Sequence, residues 1–140
     1  MGKNRDSQVS KVLLMLKLNA NRVFQRIELR MPEYLDDFAM KRTRQHFPEV
    51  FAHKFDGVQL ETLAKAEAET IVAMESYFGK VDDLKWYMDH TEEMPNLVQD
   101  RLHRNIKEIS RLLETLNLYL DAELGIAAED ETEGETENKY

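Results

Sequence analysis

From Leu102 to Gly125 the chain reads LHRNIKEISRLLETLNLYLDAELG. Leu102, Ile106, Ile109, Leu113, Leu116 and Leu120 advance in steps of four and three, which places one apolar stripe on an α-helix. Gly125 then stands where a helix C-cap wants a residue free to take a left-handed backbone. Met94-Pro95-Asn96 marks the start of this helix, with proline in the first turn, where its missing N–H costs nothing.

Working backwards, the same spacing recurs twice. Leu60, Ala64, Ile71, Met74, Phe78, Val81 and Met88, with Leu63 and Leu84 alongside, predict a helix ending near His90. Asp56 is its expected N-cap, and Gln59 completes a capping box three residues on. Val9, Leu13, Leu16, Ala20, Val23 and Ile27 predict a first helix from about Gln8 to Arg30. Pro32 is expected to open a second helix that buries Leu35, Phe38 and Ala39 and breaks near Phe47-Pro48. A short piece after that break presents Val50, Phe51 and Phe55. At 1.5 Å per residue the last two helices should each be roughly 40–50 Å long. The fold class is therefore all-α: an elongated antiparallel four-helix bundle, with helix 2 broken near Pro48.

The 140 residues suit one domain, since about 100–150 is the commonest domain size. Residues 1–126 form the expected helical domain. From 127 to 140 the chain holds Glu129, Asp130, Glu131, Glu133, Glu135 and Glu137 against Lys139, and no apolar residue after Ala128 except Tyr140. Such a stretch buries too little surface to offset its ordering entropy, which predicts a disordered acidic C-terminal tail. Lys11 and Lys17 interrupt the first apolar run, so no signal peptide is expected. No run reaches the roughly 20 apolar residues of a membrane span. Gly2 does not make a myristoylation motif, because Asp6 stands where Ser or Thr is required. A cytoplasmic protein without membrane insertion is expected.

The absence of cysteine excludes disulfide scaffolds, thiolate metal sites and Cys nucleophiles. A net charge of -8 argues against general nucleic-acid binding. The charge is uneven: residues 1–55 carry 11 Lys and Arg against six acids. Arg22, Arg26 and Arg30 recur at i, i+4, i+8, and Arg42 and Arg44 follow just before His46. One explanation is that this basic half faces Glu61, Glu67, Glu69, Glu75, Asp82 and Asp83 across the bundle. The other is an anion site, in which the five arginines fork onto a phosphate-bearing small molecule such as a nucleotide second messenger.

Helix 1 also carries more apolar surface than one core contact needs. Leu14, Leu18 and Leu29 project opposite Leu13, Leu16 and Ile27, with Met15 at the flank. A helix apolar nearly all round is buried on both sides. Either helix 1 is central in the monomer, or its second face packs on another protein or a second copy as a homodimer. Trp86, on the side of Val72 and Gly79, is a further candidate contact.

Catalytic and metal motifs are missing. Ferritin-like sites need Glu-x-x-His on two helices. His46, His53, His90 and His103 are preceded at that spacing by Thr43, Val50, Tyr87 and Asp100, so no metal site and no cofactor are expected. No nucleophile elbow or Gly-rich phosphate loop occurs. Ala52-His53-Lys54-Phe55-Asp56-Gly57 resembles the His-x-x-Lys-Gly signature of histidine-phosphotransfer domains, with Asp56 in place of the lysine. The favoured expectation is a non-enzymatic interaction module (an adaptor, small regulator or secretion-type chaperone) acting through helix 1 and its basic face.

Overall fold

Met31 and Leu35 continue the stripe of Ile27 into the core, and this decides the course of the first third of the chain. In the computed structural model, which describes residues 7–41 and 47–125, α1 runs unbroken over Ser7–Lys41, with Pro32 inside it. The expected boundary at Pro32 is therefore absent. An internal proline costs a helix about 3 kcal/mol by removing one hydrogen bond and crowding the preceding turn. Burying Met31 and Leu35, at about 1.5–3 kcal/mol each, offsets that cost. The side chains of Phe38 and Ala39, and all of Arg42 and Arg44, lie outside the described residues, as does the segment 127–140.

After residues 42–46, which lie outside the described residues, α2 is Phe47–Phe51, with Pro48 in its first turn and Val50 and Phe51 buried. A single 3-10 turn follows over Phe55–Gly57, then the short helix α3, Leu60–Leu63. This corrects the expected capping box. Asp56 lies within the 3-10 turn, and Gln59 precedes α3 without a side-chain cap. The long helix that follows, α4, begins only at Ala68 and ends at His90. Leu60, expected on its stripe, is instead 81% exposed, because residues 60–63 turn separately from the axis of α4. The 23 residues of α4 make it about 35 Å long, shorter than expected, whereas the 30 of α5, Pro95–Leu124, give about 45 Å. Gly125 closes α5 at φ 78°.

All of the described secondary structure is helical. The four-and-three stripes supply the core: Leu13, Val23 and Ile27 from α1, Met74, Phe78 and Val81 from α4, Ile109, Leu116 and Leu120 from α5. Helix α5 packs on both α1 and α4, while α2 packs on α1 and α4 and α3 touches α1. Two polar contacts set the α1–α5 register. Lys17 Nζ donates to Asp121 Oδ1 at 2.5 Å, and the amides of Asn21 and Asn117 exchange hydrogen bonds at 3.0 and 3.1 Å. A reciprocal amide pair leaves no unsatisfied group in one register and several in any other. Between α1 and α4, the buried Tyr77 hydroxyl donates to the Ala20 carbonyl at 2.7 Å.

Candidate interaction surface

Lys17 faces α5 and Arg26 faces the segment after α2, which leaves one flank of α1 open between them. At 100° per residue, Leu14, Leu18, Arg22, Gln25 and Leu29 fall on that flank. The structure leaves all three leucines exposed, Leu18 at 57% and Leu29 at 76%, with Met15 exposed beside them. Monomer packing thus covers only one face of the doubly apolar segment. Met15 also borders an open cleft of about 400 Å³ shared with Val12, Leu16, Lys54 and Val58.

The arginine stripe does not converge on one point. Arg22 and Arg30 are exposed, two helical turns apart. Arg26 between them turns inward to the main chain. Its Nε donates to the Val50 carbonyl at 3.4 Å and its Nη2 to the Ala52 carbonyl. These oxygens belong to the exit of α2, where helix geometry leaves carbonyls without internal partners. A guanidinium there satisfies them and complements the negative end of the short helix. Among the described residues, Lys17 of α1 pairs with an acid on α5, Asp121. The carboxylates of Asp89, Glu93 and Glu108 pair instead with Lys85, Arg101 and Lys80, basic groups of α4 and α5 themselves.

Trp86 is 65% exposed and stacks on His90, with ring centroids 4.5 Å apart. It lies nine residues, or half a helical rotation, from Tyr77, the residue through which α4 bonds to α1. Trp86 therefore belongs to the opposite side of the molecule from Leu14, Leu18 and Leu29. A Cβ added at Gly79, two helical turns before it, meets nothing nearer than Glu75 Oε2 at 3.9 Å. No neighbouring element of the described chain presses against that glycine.

A cluster that helical spacing did not signal lies where the segment after α2 crosses α4. His53 Nε2 is 2.8 Å from Asp82 Oδ1, and one ligand atom from each of His53, Asp56 and Asp82 lies within 4.8 Å of the other two. The His53 side chain is only 4% exposed and rests against Phe78, itself stacked on Phe55. The Glu-x-x-His pattern does not describe this set, because Asp82 lies 29 residues from His53 and is the one member on a long helix.

Comparison with protein-family models, with curated proteins and with solved structures finds no match to this chain in any of the three.

Proposed function

We propose that this chain is a non-enzymatic cytoplasmic interaction module, an adaptor, small regulator or secretion-type chaperone, whose working face is the outer flank of α1. We read it as an elongated antiparallel bundle in which α2 is the short fourth element, with 127–140 as an acidic tail in solution. The order of partners supports that reading, since residues 17 and 21 of α1 meet 121 and 117 of α5. The observation that carries the functional reading is the exposure of Leu14, Met15, Leu18 and Leu29 on a helix whose other face is buried. Contiguous apolar surface of this kind marks an interaction site.

The occupant we assign to it is a second copy of the chain. Two α1 helices crossing antiparallel about residues 21 and 22 place Leu14 and Met15 of one copy beside Leu29 of the other, Leu18 beside Gln25, and Lys11 beside Glu33. Apolar residues then meet at both ends of the stripe and Lys11 approaches Glu33, while Arg22 meets its own copy at the two-fold axis, an exposed like-charge pair that solvent screens. The chain's lack of cysteine makes a direct test simple. Leu14→Cys and Leu29→Cys chains, mixed under mild oxidation, should cross-link as a heterodimer far faster than either does alone. Equal cross-linking in all three samples would overturn the arrangement.

The sensor reading has less support. The engagement of Arg26 with main-chain carbonyls divides the stripe that would hold a phosphate-bearing molecule. The phosphotransfer reading meets a histidine that is buried and already paired with Asp82.

A further inference from the structure

We propose that His53, Asp56 and Asp82 form a binding site for one divalent transition-metal ion, of which Zn²⁺ is the probe. This inference is independent of the α1 interface. An imidazole and two carboxylates supply one nitrogen and two oxygen donors, a set common to such ions. The imidazole nitrogen separates this class from Mg²⁺ and Ca²⁺, which take oxygen ligands. Donors about 2.1 Å from a tetrahedral ion stand about 3.4 Å from one another. The three ligand atoms already lie within 4.8 Å, and both carboxylates are on exposed residues, where a side-chain rotation closes the gap. That exposure leaves the remaining coordination positions to water.

The histidine is held in place before any ion arrives. Arg26 grips the Val50 and Ala52 carbonyls just ahead of it, the Lys54 N–H donates to Asn19 Oδ1 at 2.9 Å just after it, and Phe78 backs its ring. Nε2 is thereby aimed at Asp82 rather than left to search, which lowers the ordering cost of ligation. Without metal, the Phe55 N–H approaches Nδ1 at 3.3 Å, so the ring proton sits on Nε2 and is donated to Asp82. With metal, the neutral ring gives its Nε2 lone pair to the ion and carries the same proton on Nδ1. The Nδ1 proton then opposes the Phe55 N–H, so the Phe55 amide must turn away, and the two carboxylates offset that cost by neutralising the ion's charge.

An ion there would tie the segment between α2 and α3 directly to α4. The test is calorimetric titration of the full chain with Zn²⁺, with the visible spectrum of the Co²⁺ form as a second readout. One saturable equivalent is expected, with little heat from Mg²⁺ under the same conditions. Asp56→Asn, an exposed change that should leave the metal-free melting temperature unaltered, should weaken Zn²⁺ binding about tenfold or more, and His53→Gln should remove the nitrogen-ligand bands of cobalt. Wild-type affinity in Asp56→Asn and Asp82→Asn, equal binding of Mg²⁺, or no saturable binding would each overturn the proposal. The first of these would place the ion on other carboxylates of the chain.

Discussion

Tyr77 is buried with its hydroxyl on the Ala20 carbonyl. Removal from water disfavours the phenolate and pushes the Tyr77 pKa well above the usual tyrosine range, while the positive charge of Arg26 opposes this only in part. A pKa higher in the folded state means that the protonated form stabilises the fold below the unfolded value of about 10. That contribution is lost as pH rises beyond it. Alkaline titration followed by tyrosinate absorbance and by circular dichroism should therefore show one tyrosine ionising only as helicity is lost. In Tyr77→Phe that coupled step should vanish, at a cost of about 1 kcal/mol for the lost hydrogen bond. Such residues also mark the limit of sequence reading. Arg26 looks identical to Arg22 and Arg30 along the helix, but its partners are main-chain oxygens 24 and 26 residues away. His53 and Asp82 likewise meet only through tertiary packing.

At the scale of the helix, two glycines should respond to the same substitution with opposite sign. Gly79 is in the interior of α4 with open space around its missing side chain, so Gly79→Ala should stabilise by about 0.5–1 kcal/mol through helix propensity. Gly125 holds φ 78° at the end of α5, where Gly125→Ala should destabilise by about 1 kcal/mol. Denaturant melts of the two variants check both signs. The stripes of α4 and α5 and the stop at Gly125 were legible because a buried helix face needs apolar residues at that spacing whatever surrounds it. Pro32 was misleading because its local preference for a helix start competes with burial of Met31 and Leu35, and tertiary burial wins. Asp56 was misleading for a related reason. Its N-cap chemistry fits a turn as well as a helix, and here the turn is 3-10.

For the whole molecule, the charge asymmetry and the doubly apolar α1 each allowed two explanations in the sequence. Packing separates them at particular residues: Lys17 and Arg26 are engaged within the monomer, whereas Leu14, Leu18 and Leu29 are left on the surface. The proposed function turns on self-association through that flank. Its most direct test is the solution mass of the full chain by light scattering, for wild type and Leu18→Asp, across protein concentration and at low and high salt. Self-association requires a wild-type mass approaching twice 16.5 kDa that persists in high salt, as an apolar contact should. Leu18→Asp should be a monomer with undiminished helical circular dichroism, since that position is exposed. A wild-type mass of 16.5 kDa at every concentration and salt would contradict it.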